Sequence, residues 1–339
     1  ALALDPRVNL IWGKNASGKT SLLEAVHLLA RGRSFTRTRP DHLIQHGSHA
    51  FILRAGIQTS THKAWIGMER VPGRTRVRLD ERDVSSLSEI AWLLPIHTLN
   101  TESQRLFTEG PKERRSTLDW GVFHVESDYP EHWRRFRRAL QQRNAALQAG
   151  DARVIRAWEP DLAAAAAAVD TSRRIYLEAL WPFWQSLIKD WLPQLDLYWV
   201  FRSGWPEGEC LPAILEQARA QELERGHTLY GPHRADLRFM LDNIDAVQRL
   251  SRGQQKLVVI ALRLAQAELT AKSGRQRPLI LVDDLAAELD AERREQVLAA
   301  LLRMDVQLLL TALSRNELQL PKGALNVFHV EQGCYREMI

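Results

Sequence analysis

The chain has 339 residues, 45% hydrophobic and 26% charged. These proportions are those of an ordinary globular protein, which excludes disorder and collagen-like repeats, and at about 150 residues per domain the length predicts two domains. The longest unbroken apolar run, Leu162 to Val169, is eight residues, against the roughly 20 of a membrane span. Net charge is +5, and the two cysteines, Cys210 and Cys334, form neither a disulfide framework nor a metal cluster. With no secretory leader visible, a cytoplasmic setting without membrane partners is expected.

In chain order, Val8 to Trp12 reads as a short buried strand, so close to the start that a leading strand or two is expected upstream. A glycine-rich turn follows, then a helix with apolar positions Leu22, Leu23, Ala25, Val26, Leu28 and Leu29. From Phe51 to about Val84, short alternating stretches predict an antiparallel meander with a turn at Pro72-Gly73. Between Arg31 and Arg82, eleven Lys and Arg face four Asp and Glu. Helices are predicted at Lys112 to Trp120, Tyr129 to Ala149, and Asp161 to Asp190 with a bend at Pro182. A second basic run (Arg134, Arg135, Arg137, Arg138, Arg143) falls on the middle helix. Basic patches are the footprint of a polyanion ligand, although charge runs are also ordinary solvated faces. Trp181, Trp184 and Trp191 recur at helical spacing, which favours a core over a base-stacking platform. Strands return at Leu197 to Phe201, Asp236 to Leu241, Leu279 to Val282 and Val306 to Leu310. A helix spans Ala291 to Met304, and a last hairpin turns at Gln332-Gly333. Strand–helix alternation at both ends predicts one mainly parallel α/β domain with a helical insertion.

Three motifs carry chemistry. Gly13, Lys14, Asn15, Ala16, Ser17, Gly18, Lys19 and Thr20 fit G-x-x-x-x-G-K-[ST] between a strand and a helix. Such a loop wraps phosphates with backbone N–H groups; Lys19 would reach the β- and γ-phosphates of a nucleotide and the Thr20 hydroxyl would ligate Mg²⁺. Leu279-Ile-Leu-Val-Asp283-Asp284 is a buried strand delivering two carboxylates to its C-terminal end. Asp283 would hold Mg²⁺ and Asp284 would polarise the attacking water, the alternative being a helix cap. The third motif, Ser251-Arg-Gly253-Gln254 before an amphipathic run, is a second phosphate-grasping turn or a plain N-cap.

In this order the motifs resemble those of the ABC-type ATPases, whose signature turn reaches the nucleotide of the opposite protomer. The resemblance gives Asp290 the place of the D-loop aspartate along the dimer seam, although Asp290 is also a fair N-cap. It puts His97 where that family has its Q-loop glutamine, and Thr311 near the position of its H-loop histidine. Five further stretches narrow the likeness: Thr20 to Phe35, Gly110-Pro-Lys-Glu-Arg-Arg115 with Leu118-Asp-Trp120, Gly231-Pro-His-Arg-Ala-Asp-Leu237, Leu250 to Leu257, and Ala261 to Gln266. Together they resemble the RecF family across nearly the whole chain.

That resemblance implies an α/β fold: an ABC-type P-loop ATPase head related to Rad50 and SMC, mainly a parallel sheet plus an antiparallel β-subdomain, with an inserted helical arm. The expected domains are 1–110 and 206–339 for the head and 111–205 for the arm. It implies ATP and Mg²⁺ as cofactors, an ATP-dependent homodimer, weak DNA-dependent ATP hydrolysis, and binding of single-stranded, double-stranded or gapped DNA. RecR, RecO and RecA are the implied partners in recombinational gap repair, with links to replication restart and the SOS response. Lys19, Asp283, Asp284 and His97 are the expected catalytic residues. Arg31, Arg33, Arg37, Arg39, Arg134, Arg135, Arg137 and Arg138 are the expected DNA contacts. Competing readings are the ATPase subunit of an ABC transporter, against which the 232 positions between Lys19 and Ser251 count, and an ATP-binding scaffold with little hydrolysis.

Overall fold

The computed structural model describes residues 2–36, 38–58, 63–100, 105–320 and 325–338, with the Glu288 side chain left out. Two compact units emerge, residues 1–104 with 256–339, and residues 105–255.

The first unit is built on a six-stranded sheet of order β13-β12-β1-β11-β10-β6. Its strands are β1 (Val8–Trp12), β6 (Ile96–Leu99), β10 (Leu279–Val282), β11 (Gln307–Ala312), β12 (Leu325–Glu331) and β13 (Cys334–Met338). All neighbours run parallel except the β12–β13 hairpin. Leu10, Ile11, Ile280, Leu281, Leu309 and Leu310 are buried, as unbroken apolar strands must be when both sheet faces are covered. Helices α1 (Lys19–Arg31), α2 (Leu87–Leu93), α9 (Leu285–Glu288) and α10 (Ala291–Arg303) belong to this unit, and α8 (Arg252–Lys272) enters it from residue 256.

The expected meander is a separate four-stranded antiparallel sheet: β2 (Phe51–Gln58), β3 (Lys63–Val71), β4 (Arg74–Leu79) and β5 (Arg82–Asp83). Period-2 alternation gives it two unlike faces. Ala64, Ile66, Met68, Val77 and Leu79 pack with Leu28 and Leu29 of α1 and Ile90 of α2, while the other face points to solvent.

The second unit holds α3 (Arg105–Thr108), α4 (Pro111–Val125), α5 (Tyr129–Ala149), α6 (Ala152–Trp191) and α7 (Leu211–Arg225), with a small antiparallel sheet of β7 (Leu197–Arg202), β8 (Asp236–Leu241) and β9 (Ile244–Asp245). It extends past the expected arm of 111–205, because residues 206–255 belong to the same compact unit as the helices. α6 is one helix of 40 residues, starting earlier than predicted, with Asp151 capping the Arg153 and Val154 amides. Pro160 and Pro182 lie inside it, both on exposed positions where water can satisfy the carbonyls they release. Trp184 and Trp191 are buried, and Trp181, Trp184, Trp199 and Phe239 form one ring cluster, so the tryptophans are core. No described helix is long and apolar enough to cross a membrane.

Candidate nucleotide-binding site

The first motif sits where β1 ends and α1 begins. A Cβ at Gly13 would stand 2.3 Å from the Val330 carbonyl oxygen and 2.9 Å from Ser17 Oγ, so the chain passes there only as glycine. Gly18 enters the helix at φ 110°, and no side chain caps the first turn, which leaves its N–H groups as donors for an anion. The β12–β13 hairpin braces the loop from outside. Gly333 N–H donates to the Ser17 carbonyl (2.9 Å) and the Tyr335 hydroxyl to the Gly18 carbonyl (2.7 Å). Burial raises the Tyr335 pKa, which keeps that hydroxyl a donor. The Trp12 and His329 rings lie 4.2 Å apart, in register on β1 and β12. In the sequence this hairpin is legible only as a turn at Gln332-Gly333; a glycine and a tyrosine across a terminal hairpin carry no motif, and the pairing appears only with the register.

Lys19 is 7% exposed and donates from Nζ to the carbonyls of Gly13 (2.7 Å) and Lys14 (3.0 Å). Thr20 Oγ1 lies 3.0 and 3.2 Å from the two Asp283 carboxylate oxygens. Asp283 follows β10 directly and is tied by its N–H to the Leu99 carbonyl (2.9 Å). The Thr311 hydroxyl of β11 donates to Asp283 Oδ1 (2.9 Å) and accepts from the Asp284 N–H (2.9 Å). Asp284 adopts the left-handed region at φ 52°, a strained conformation of the kind that collects at functional sites. Its carboxyl pKa is raised, first by burial, then by the charges of Glu317 and Asp283, with the Ala287 N–H and Lys19 pulling the other way. Among the described residues, its buried Oδ1 has no hydrogen-bond partner.

This edge therefore collects a lysine, two carboxylates and two hydroxyls. Thr20 and Asp283 are hard oxygen donors, as Mg²⁺ requires. Among the described residues no three His, Cys, Asp or Glu side chains group as a metal cage, and Mg²⁺ in phosphate sites takes only one or two protein ligands besides the substrate oxygens. The residues fit that ion.

His97 does not join the set, and its expected catalytic place is corrected. It is 2% exposed within β6, in register with Ile280, three residues and about 10 Å before the edge that Asp283 occupies on the parallel neighbour. It is a core residue. Thr311, which the sequence flagged only for not being histidine, takes the contact to both carboxylate residues.

Ser251, Arg252 and Gly253 are exposed. Ser251 N–H donates to Gln254 Oε1 (2.9 Å) and Gln254 N–H to Ser251 Oγ (3.3 Å), a reciprocal capping box at the start of α8. Asp290 caps α10 by accepting from Arg293 N–H (2.9 Å) and is itself exposed.

Of the basic candidates, Arg33 and Arg39 are exposed, Arg31 is half-buried, and Arg37 lies outside the described residues. On α5, Arg134, Arg135, Arg137 and Arg138 are exposed, with Arg135 paired to Asp161. Arg143 of the same run is fully buried against Glu222 (2.6 Å), Glu159 (2.9 Å) and Thr228 (2.9 Å) and is structural. The stretches Gly110–Arg115 and Gly231–Leu237 meet in the second unit: Arg114 makes a bidentate pair with Asp236 (2.7 and 2.9 Å) and Arg115 donates to the Ala235 carbonyl (2.7 Å).

Comparison with known proteins gives consistent results. The RecF/RecN/SMC N-terminal domain family matches residues 1–336. The chain is 39% identical over 339 residues to the DNA replication and repair protein RecF of Stutzerimonas stutzeri (strain A1501), covering 98% of this chain and 92% of that one. Identity to the protein of the same name from Shewanella baltica (strain OS155) is 38% over 334 residues, covering 97% and 92%. Among solved structures, the recombination mediator protein RecF-ATP in the RecFOR pathway superposes with a TM-score of 0.88 at 23% identity, covering 99% of this chain and 94% of that chain. An Smc head bound to the C-winged helix domain of ScpA gives a TM-score of 0.60 at 14% identity, covering 99% and 91%. Both structural likenesses bear on the fold, which is the expected α/β head with a helical insertion.

Proposed function

This chain belongs to the RecF family, within the wider RecF/RecN/SMC N-terminal domain family, and on that premise we propose that it is an ATP-switched DNA-binding protein of recombinational gap repair. The observation that carries the nucleotide part is the convergence of Lys19, Thr20, Asp283, Asp284 and Thr311 on one strand edge behind a glycine-rich loop. The loop amides and the Lys19 ammonium would bind the phosphates. Mg²⁺, held by Thr20 and Asp283, would supply charge neutralisation between phosphate oxygens. Asp284, whose carboxyl holds its proton more tightly than usual, would take the proton of the attacking water.

Exposure of Ser251, Gly253 and Asp290 supports closure across two copies, with the Ser251/Gly253 turn and Gln254 of one protomer over the nucleotide of its partner. Closure would join basic surfaces into a phosphate-tracking groove, with Arg31, Arg33, Arg39, Arg134, Arg137 and Arg138 as contacts and strongly salt-dependent affinity. Hydrolysis would open it. RecR, with RecO and RecA further along the pathway, is the partner this reading assigns, in the cytoplasm, during gap repair and replication restart. Family membership sets aside the transporter subunit.

Size-exclusion light scattering with a gapped DNA, in ATP or ADP, tests the switch with Lys19→Ala as control. The expected result is a dimer co-eluting with DNA in ATP alone, and a variant that stays monomeric. DNA binding indifferent to nucleotide would sink the switch and leave the scaffold reading in its place.

A further inference from the structure

The solvent face of the four-stranded sheet is unusual for a sheet that is packed on one side only. Ile52 is 73% exposed and Trp65 50% exposed, far from the charged and hydroxylic residues such a face normally carries. Two glycines, Gly56 and Gly67, share it. Trp65 is the cross-strand partner of Gly56 and its ring carbons lie 3.4 Å from where a Gly56 Cβ would stand. Gly67 is different: a Cβ there would meet nothing nearer than Arg78 Cβ at 4.0 Å. That spot is bare, and its two cross-strand neighbours are Arg54 on β2 and Arg78 on β4.

Charge on the same face is one-sided. Its outward positions carry Arg54, Lys63, Arg74, Arg76 and Arg78 against Glu69 and Asp83. Arg76 and Arg78 share one exposed partner, Asp83 (2.9 and 3.1 Å), a pairing that water and salt readily loosen. The Arg54 guanidinium lies 4.7 Å from the centre of the Trp65 ring. Trp65 itself is fixed at the backbone, its N–H donating to Asp80 Oδ1 (2.8 Å) and its carbonyl accepting from Asp80 N–H (2.7 Å). An aromatic ring held in position, a bare floor between two guanidiniums and a cationic surround are the parts of a sheet that receives unstacked bases and their phosphates.

We propose that this face binds single-stranded DNA, with a phosphate over Gly67 between Arg54 and Arg78 and a base against Trp65. The site rests on the DNA-binding reading above and deepens it by assigning single strands to a surface outside the arginine candidates named from the sequence. A duplex keeps its bases stacked inside and offers this face only phosphates, so Trp65 discriminates the two forms.

The test is fluorescence anisotropy of the full chain in ATP with a labelled 20-mer oligo-dT, a 20-base-pair duplex and a polyglutamate peptide. Trp65→Ala is expected to weaken oligo-dT binding at least about five-fold, the lower range for one lost base stack, while duplex binding changes less than two-fold. Trp65→Phe, which keeps a stacking ring, is expected to recover most of the loss. Arg54→Ala/Arg78→Ala is expected to reduce the salt slope for oligo-dT by about 0.7, the one phosphate they share on a single strand. Unchanged oligo-dT binding by Trp65→Ala overturns the site but not the DNA-binding reading. Loss of polyglutamate binding alone reassigns the face to an acidic protein segment and overturns it equally. A wild-type chain that binds neither oligo-dT nor duplex overturns both.

Discussion

The two units use arginine–carboxylate pairs in opposite ways. On the four-stranded sheet, Arg76 and Arg78 meet Asp83 in full solvent. In the second unit, Arg143 is 0% exposed and bonds Glu222, also 0% exposed, together with Glu159 and Thr228, and Arg173, equally buried, holds Asp119 and the Pro232 carbonyl. Tyr129 completes this second network by donating to Asp119 (2.6 Å). The same side chain is thus a surface charge free to exchange partners in one place and a fixed cross-tie in the other. Burial decides: a desolvated guanidinium must keep every partner it has, whereas an exposed one can trade a carboxylate for a phosphate.

The sharpest way to break this contrast is to remove a cross-tie. Arg143→Ala strands Glu222 in the interior and is expected to cost about 3–5 kcal/mol. Eight of the eleven tryptophans lie in residues 105–255, so denaturant unfolding followed by tryptophan fluorescence reports on that unit. A loss below about 1 kcal/mol, no more than a surface pair is worth, would equate the two kinds of pair.

A middle-sized effect concerns protons. His233 in the second unit is held neutral with its pKa lowered to about 4, and His27 in the first to about 3, both mainly by burial. As pH falls from about 6.5, the unfolded chain gains a proton at each site that the folded chain refuses, so stability drops. Each site contributes about 1.4 kcal/mol per pH unit, for His233 down to pH about 4. His233→Gln should flatten the stability–pH curve of the second unit between these limits, and equal slopes would argue against a buried neutral imidazole there.

The smallest effect belongs to the exposed pair. Asp83→Ala is expected to leave the thermal midpoint unmoved while tightening oligo-dT binding at low salt, since it frees Arg76 and Arg78. A clear fall in the midpoint would place this pair with the cross-ties.

The sequence legibly carried whatever is set by short spacing. The phosphate loop, the buried strand ending in Asp283 and Asp284, the capping turn at Ser251 and the alternation of the meander each depend on residues within a few positions of one another. Periodicity and turn chemistry act over that range, and the resemblance to the RecF family extended it along the chain. What only the tertiary structure decided depends on register and burial across hundreds of positions. It set His97 below the sheet edge, put Thr311 between the two carboxylate residues, laid the terminal hairpin against the phosphate loop, and sorted one run of arginines into surface charges and a buried tie. Strand pairing is non-local, and whether a charge faces water is fixed by what packs over it, so neither is written in the residue's own neighbourhood.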